Sequence, residues 1–312
     1  MKISKAIEGY SMYCAASGLK KSTIKARKIR LNRLVQFMND CDIEKVTNQN
    51  LREWIVWLKN QITTKGKKLS KRGVHEHFMI LRMFYKWAST NPEIAGYGLG
   101  ILNQTEGIRS PKFETVQVEP FNEKEIKILL QTIKPTAKKK SKKYIGQLSF
   151  QAAVLTMLDI GIRRGEICRL KIADWQASTG RLHIIQGKGD KNRYLFVGAK
   201  TQHAIWFYLE QRQPKRITEP LFVTIQGKEF NHDYFRQKIN QLGKEAGIEN
   251  CYPHRFRHTC ALLRIKNGET AESLQHLLGH TTPKMAMYYV KLAALDLEEI
   301  QKNASPIDNL LF

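Results

Sequence analysis

The chain has 312 residues, enough for two domains, and its 52 Lys and Arg against 28 Asp and Glu give a formal net charge of +24. This excess favours a polyanionic partner such as nucleic acid, while no apolar run approaches the ~20 residues of a membrane-spanning helix. The scattered cysteines without a CxxC pair, and an N-terminus without the apolar core of a signal peptide, favour a reduced, cytoplasmic protein.

Residues 1–105 are predicted to form an all-helical domain. Apolar residues recur at helical spacing in three stretches, each preceded by a polar side chain that can cap a helix. The third stretch ends at the Asn91-Pro92 pair, where proline cannot continue a helix. The predicted starts of the three helices lie at Ser22 or Thr23, at Thr47 or Asn48, and near Ser70.

Basic residues cluster at the starts of the first and third of these helices. Each could belong to an ordinary solvated helix face. As a set on a chain of charge +24, they predict a surface that contacts DNA phosphates. The set consists of Lys20, Lys21, Lys25, Lys28, Lys67, Lys68, Lys71 and Arg72.

Residues 106–121 lose the helical pattern and are predicted to be a linker. A second domain, 122–312, then opens with Asn122 and Glu125 in the spacing of a capping box. This domain is predicted to mix helices with a small sheet. Residues 181–185 and 193–197 read as paired strands of a hairpin, with Lys188 near its tip.

Two segments of the second domain place charged residues at suggestive spacings. Arg163 and Glu166 would share a helix face, a spacing that by itself is typical of a surface ion pair, and the adjacent Arg164 leaves the choice of arginine open. Lys188 stands between two glycines, but the GxxxxGK(S/T) pattern of a phosphate loop is absent. Nucleotide hydrolysis therefore has no support.

A third segment, 252–259, combines histidines and arginines. Two histidines four residues apart on a helix, with Cys251 and Cys260 nearby, allow a zinc site as one interpretation. The arginines would repel a metal cation, and guanidinium groups match phosphate oxygens, so an anion site is favoured. The residues concerned are His254, Arg255, Arg257 and His258.

The fourth segment carries two successive tyrosines. Gly279 is predicted to end a helix, and His280 follows it. A second, short helix is then predicted to return Tyr288 or Tyr289 toward the same site. A lone tyrosine is most often a packing residue. Two in succession point in different directions, so that one can be buried while the other faces a site.

Together these segments can transfer a phosphoryl group without a metal. Arginines neutralise the charge that grows on the phosphate oxygens. Histidine can take a phenolic proton and lysine can protonate a leaving oxygen. Tyrosine can hold the covalent intermediate.

The order and spacing of the segments resemble the tyrosine recombinase (phage integrase) family, in its simple two-domain, Xer-like form. Residues 161–167 match the family's G-(L/I)-R-x-x-E-(L/I) box, 254–258 match H-x-L-R-H with Phe256 in place of leucine, and 278–280 match L-G-H. The resemblance covers essentially the whole chain. It implies a mostly helical fold with a small sheet: an all-helical SAM-like core-binding domain and an α+β catalytic domain.

The resemblance also implies roles for single residues. The family's nucleophile stands nine residues after the histidine of L-G-H, which selects Tyr289 and not Tyr288. Family members often carry two threonines shortly before it, where this chain has Met285 and Ala286. The implied catalytic set is Tyr289 as nucleophile, Arg163, Lys188 as general acid, His254, Arg257 and His280, supported by Glu166 and His258.

The implied reaction is site-specific DNA recombination through a 3′-phosphotyrosyl intermediate, in integration, excision or resolution, without cofactor or metal. Expected partners are double-stranded DNA with two recombination sites, further copies of the chain in a synaptic homotetramer formed from monomers, and an accessory directionality protein. The protein would work at the nucleoid. The apolar C-terminal segment from Leu292 to Phe312 is expected to dock on a neighbouring subunit and not on its own domain.

Two alternatives share these features. A type IB topoisomerase uses nearly the same constellation, although the H-x-x-R-H box and the small helical N-terminal domain favour recombination. It would relax one supercoiled plasmid without exchanging strands between two sites. A non-catalytic DNA-binding protein would need only the basic surface, and it would form no covalent adduct with DNA.

We expect DNA cleavage to persist in excess chelator, because an arginine-rich phosphate site with a protein nucleophile requires no metal. The yield of covalent adduct on a nicked suicide substrate, with and without EDTA, measures this. Loss of adduct that added zinc restores would instead support the zinc interpretation.

Overall fold

The chain folds into two compact units, residues 1–116 and 117–312, each with its own hydrophobic core. The predicted mostly helical fold with a small sheet is confirmed. Among the described residues, no helix combines the length and apolarity needed to cross a membrane. The computed structural model describes residues 1–63, 66–114, 118–185, 192–279 and 284–293.

The regular elements in the described part of the first unit are helices. They are α1 (Ile3–Ala16), α2 (Lys21–Met38), α3 (Asn48–Lys59), α4 (Lys71–Ala88) and α5 (Pro92–Ala95). The core is built around α4, which contacts α1, α2 and α3 and carries fully buried aromatic side chains such as Phe78 and Tyr85. A short 3-10 turn, Ile43–Lys45, precedes α3.

Helix starts in this unit only partly follow the sequence pattern. Thr47 and Ser70 cap α3 and α4, each accepting a hydrogen bond from the backbone N–H three residues on, as predicted. The prediction that Ser22 or Thr23 caps a helix is wrong, because α2 begins after Lys20, whose side chain makes no cap hydrogen bond. Helix α1 was not predicted, although its inward residues recur at helical spacing.

The second unit combines helices with a small sheet. Its described helices are α6 (Glu123–Thr132), α7 (Lys142–Ile160), α8 (Arg164–Ile167), α9 (Ala199–Arg212), α10 (His232–Glu245), α11 (Pro253–Lys266), α12 (Ala271–Leu278) and α13 (Lys284–Ala293). The long helix α7 is central, contacts α9 and α11 and is buried on most sides. Asn122 and Glu125 form the predicted capping box at the start of α6. A 3-10 turn, Ile172–Asp174, leads into the sheet.

The sheet has three antiparallel strands in the order β1 (Trp175–Gln176), β2 (Arg181–Ile184) and β3 (Arg193–Phe196). The predicted pairing of the last two is confirmed, with Leu182 opposite Leu195 on the buried face. Strand β1 was not predicted, because two residues are too few to show alternation. The tip of the predicted hairpin, including Lys188, lies outside the described residues.

Replacing Phe78, a fully buried residue of α4, with alanine should lower the free energy of unfolding of the first unit by about 3–5 kcal/mol, since the cavity cannot close completely. Urea unfolding followed by tryptophan fluorescence measures this, and Trp54, Trp57 and Trp87 report on this unit. Val56→Ala, at a side chain 58% exposed, is the control and should change stability by less than about 0.5 kcal/mol. Equal effects of the two variants would contradict the packing described here.

Candidate active site

The site begins where α7 ends. Gly161 terminates this helix with φ +60°, and a Cβ there would approach Leu278 Cδ2 to 2.6 Å, so both conformation and space require glycine. The chain turns at once into the four-residue α8, with Arg163 as the residue before its first turn. The side chain of Arg163 therefore projects from a loop and not from a helix face.

Glu166 is the buried acid of the site. Its backbone-facing oxygen Oε2 accepts the Arg163 N–H at 2.9 Å and Oε1 accepts Arg163 Nη1 at 3.0 Å. The interpretation of this pair as a surface ion pair is wrong, because Glu166 is only 4% exposed. Burial alone would raise the pKa of Glu166, but Arg193 and Arg163 together hold it below its usual value.

Arg257 lies deeper than Arg163. It is 6% exposed and donates from Nη1 to Gly161 O and from Nη2 to Leu278 O, both at 2.6 Å. Burial and the nearby Arg163 lower the pKa of Arg257 to about 10, so the guanidinium still carries its charge at neutral pH.

Three arginines converge on the end of α12. Arg193 Nε donates to Leu277 O at 3.1 Å, Arg257 Nη2 donates to Leu278 O at 2.6 Å and Arg163 Nη2 donates to Gly279 O at 2.5 Å. These carbonyls belong to the negative end of a helix, where the last C=O groups lack helical partners. The three guanidiniums thus supply those partners and gather positive charge in one place. We call Arg163, Arg193 and Arg257 the arginine cluster.

Arg193 is the member of this cluster whose role the sequence did not indicate. It pairs with both oxygens of Glu166, at 3.1 and 3.0 Å. A signal was present in the sequence, since alternation along β3 places Arg193 on the same, inward face as Leu195. An arginine at an inward strand position must find a buried partner.

Helix α11 carries the histidines of the site. His254 and His258 are four residues apart and Arg257 lies between them, so helical periodicity places all three on one side of α11. Partial burial and the neighbouring arginines lower the pKa of His254. Burial, His254 and Arg257 lower the pKa of His258 to about 4, so His258 is neutral at pH 7.

Arg255 does not join this site. Its Nη2 binds both oxygens of Glu125 on α6, at 3.0 and 2.9 Å, and its guanidinium lies 4.0 Å from the centre of the Phe121 ring. Nε and Nη1 donate to backbone carbonyls of Glu119 and Glu249. Of the two arginines in this segment, one therefore anchors α11 and the other faces the site.

The two successive tyrosines of α13 have different surroundings. Tyr289 is 1% exposed, and its hydroxyl forms a hydrogen bond with Nδ1 of His258. Tyr288 is partly exposed and packs edge-on against Tyr289. Burial raises the pKa of Tyr289, so the phenol is protonated at neutral pH beside a neutral histidine that can accept its proton.

Two predicted site residues, Lys188 and His280, lie outside the described residues, as does most of the C-terminal segment from Leu292 to Phe312. Among the residues that the structure does describe, no group of three or more His, Cys, Asp and Glu is arranged to hold a metal ion. Direct contacts join Arg163 to Glu166 and Tyr289 to His258, and Arg163 and Arg257 donate to neighbouring carbonyls at the end of α12.

The basic residues predicted to contact DNA all lie in the first unit and are all exposed. Lys28 comes within 3.9 Å of Glu8, and Arg72 within 3.2 Å of Glu76, which neutralises part of their charge. They lie just before or within the first turns of α2 and α4, two helices that contact each other. The full set is Lys20, Lys21, Lys25, Lys28, Lys67, Lys68, Lys71 and Arg72.

Comparison with known proteins identifies the family. A model of the phage integrase family matches residues 119–295, more than half of the chain, and a model of the phage integrase SAM-like domain matches residues 7–94. The chain belongs to the phage integrase family. It is a tyrosine-type site-specific DNA recombinase of the Xer-like kind, and the predicted family, fold class and enzyme class are confirmed.

Several members of the phage integrase family resemble the chain over most of its length. Tyrosine recombinase XerC of Staphylococcus epidermidis is 28% identical over 284 residues, covering 88% of each chain. The XerH recombinase bound to a palindromic difH substrate in a post-cleavage complex has a TM-score of 0.70 and 18% identity, covering 98% of this chain and 85% of that one. A lambda integrase tetramer bound to a Holliday junction has a TM-score of 0.70 and 16% identity, covering 93% and 77%.

The neutral state of His258 should make the fold sensitive to acid. Its pKa is about 4 in the folded protein and about 6.5 in an unfolded chain, so only the unfolded chain gains this proton between those pH values. The contribution is complete above pH ~6.5 and is lost as the pH falls through about 4. The melting temperature should therefore drop more from pH 7 to about pH 4.5 in the wild type than in His258→Gln.

Differential scanning fluorimetry at the two pH values measures this difference. His203→Gln, at an exposed residue of α9, is the control and should keep the full wild-type drop. A drop in His258→Gln as large as in the wild type would show that other groups carry the acid sensitivity.

Proposed function

We propose that Tyr289 is the nucleophile of this recombinase and that His258 accepts its proton. The observation that carries the proposal is the hydrogen bond between the Tyr289 hydroxyl and Nδ1 of His258, on the helix that also carries Arg257. Tyr288, one residue earlier, is directed elsewhere and is partly exposed. The geometry thus supports the same tyrosine that the family spacing selects.

In the proposed reaction the Tyr289 oxygen forms a bond to the scissile phosphorus and the bond to the 5′ oxygen of DNA breaks. His258 takes the phenolic proton, and Lys188 is proposed to protonate the leaving oxygen. Arg163 and Arg257 neutralise the non-bridging oxygens, and His254 and His280 are proposed to donate hydrogen bonds to them. The phosphodiester energy is kept in the 3′-phosphotyrosyl bond, so that another strand's 5′-hydroxyl can reverse the step.

Arg163 and Arg257 support this role because each donates only some of its N–H groups to the described residues. A guanidinium has five N–H donors, and within the described part of the chain each of these two side chains donates two hydrogen bonds. A phosphate can therefore bind without complete loss of the backbone contacts. Because the Tyr289 side chain is 1% exposed, α13 has to shift before its hydroxyl can reach a phosphate.

The partners proposed are two duplexes and further copies of the chain. The family relatives include a recombinase bound to its DNA substrate and a tetramer bound to a Holliday junction, which supports a synaptic homotetramer here. The exposed basic residues of the first unit, with the chain's charge of +24, are proposed to bind the DNA backbone. We also propose that an accessory directionality protein sets the direction of the reaction and that the protein acts at the nucleoid in the cytoplasm. Residues 106–121 are proposed to link the two domains.

Tyr289→Phe should abolish the covalent adduct on a nicked suicide substrate, because phenylalanine has no oxygen to attack phosphorus. Tyr288→Phe is the matched control, one residue away, and should retain adduct formation. Denaturing gels of labelled DNA measure both, and a mobility-shift assay should show that both variants still bind DNA. An inactive Tyr288→Phe beside an active Tyr289→Phe would overturn the assignment.

The same protein should exchange strands between two plasmid-borne sites. Relaxation of a single supercoiled plasmid, with no exchange between two sites, would favour the topoisomerase alternative. Unchanged DNA in both assays would favour a protein that only binds DNA.

A further inference from the structure

Arg193 connects two parts of the active site that are far apart in the chain. It lies on β3, binds both oxygens of Glu166 in α8, and donates from Nε to the carbonyl of Leu277 near the end of α12. Its side chain is 12% exposed and that of Glu166 is 4% exposed. The contact is therefore a two-pronged, largely buried ion pair, the strongest kind that arginine makes with a carboxylate.

The charges explain why this pair matters for Arg163. Glu166 is one carboxylate shared by two arginines, and Arg193 takes the two-pronged contact while Arg163 makes a single side-chain contact at 3.0 Å. If Arg193 were absent, the buried carboxylate would have Arg163 as its main counterion. Arg163 would then be drawn toward Glu166. The carboxylate would neutralise the positive charge of Arg163, which would bind a phosphate less strongly.

The contact to Leu277 gives Arg193 a second effect. The next two carbonyls of the chain, Leu278 O and Gly279 O, accept from Arg257 and Arg163. By holding the carbonyl before them, Arg193 fixes the end of α12 against α8. Arg163 therefore depends on Arg193 through Glu166, and both Arg163 and Arg257 depend on it through the backbone that they contact.

We propose that Arg193 is a positioning residue of the recombinase, which neutralises Glu166 and holds the end of α12 so that Arg163 and Arg257 keep their charge and direction for the scissile phosphate. This inference rests on the proposed function, since it concerns the same site. It adds a residue of the sheet to a site that the sequence motifs place on loops and helices.

The test compares single-turnover cleavage of a suicide substrate, at saturating enzyme, with the Kd for the same DNA. Arg193→Gln should slow cleavage by about tenfold or more and change Kd by less than about twofold, because coupling within one ion-pair network corresponds to factors of roughly 2 to 150. Arg193→Lys keeps the charge but loses the two-pronged geometry, so its rate should fall between those of wild type and Arg193→Gln.

A double variant separates positioning from simple loss of structure. Arg193→Gln with Glu166→Gln removes the carboxylate that would otherwise compete for Arg163, so it should cleave faster than Arg193→Gln alone. Because it removes both members of the buried ion pair together, the double variant also provides the test if Arg193→Gln fails to fold.

Arg212→Gln is the matched control. Arg212 is similarly buried, at 10% exposure, and likewise joins a carboxylate, that of Glu219, to backbone carbonyls, those of Pro220 and Leu221. Arg212 is the last residue of α9 and contacts the segment that follows this helix. Its hydrogen bonds to Glu219, Pro220 and Leu221 do not involve the arginine cluster. Its replacement should lower the melting temperature as Arg193→Gln does while leaving the cleavage rate within about twofold of wild type.

The outcomes distinguish the inference from the function on which it rests. Wild type that forms no adduct defeats the proposed function and the inference together. Wild type that cleaves beside an equally fast Arg193→Gln overturns the inference alone. The rate of Glu166→Gln alone completes the comparison. A double variant whose loss of rate is the product of the losses of Arg193→Gln and Glu166→Gln also overturns the inference, because Arg193 and Glu166 would then act independently.

Discussion

The candidate active site depends on the end of α12, where three successive carbonyls each accept a hydrogen bond from a different arginine. Three guanidiniums this close would repel one another strongly in a partly buried place. One carboxylate, Glu166, and the negative end of a helix offset that repulsion only in part. The remaining positive charge is what a phosphodiester can bind, and the same contacts hold α8, β3, α11 and α12 together.

Helix α11 shows how one element can serve both stability and chemistry. Its 3.6-residue period places His254, Arg257 and His258 on one side and directs Arg255 to another. Arg255 binds Glu125 and covers the ring of Phe121, which fixes the helix against α6. With the helix anchored on one side, its other side presents partly desolvated histidines whose pKa values are lowered, which favours their neutral form.

The local elements of the fold were largely predictable from the sequence. Caps at Thr47, Ser70 and Asn122 and the paired strands β2 and β3 follow from side-chain chemistry and periodicity over a few residues. Errors arose where local signals were weak or misleading. Helix α2 begins with no side-chain cap although Ser22 and Thr23 follow closely, since packing of its inner face against α1 and α4 stabilises the helix without one.

The sequence by itself determined the charge of the chain, the residue types of the site and the family motifs that carry them. Only the tertiary structure decided which of similar neighbours meet: Arg163 and not Arg164 binds Glu166, Arg257 and not Arg255 faces the site, and Tyr289 contacts His258. It also brought Arg193 to Glu166 and Leu277. Periodicity predicts which side of a helix or strand a residue occupies. The group opposite it can belong to a segment more than 100 residues away, as Gly279 does for Arg163, and folding alone sets that pairing.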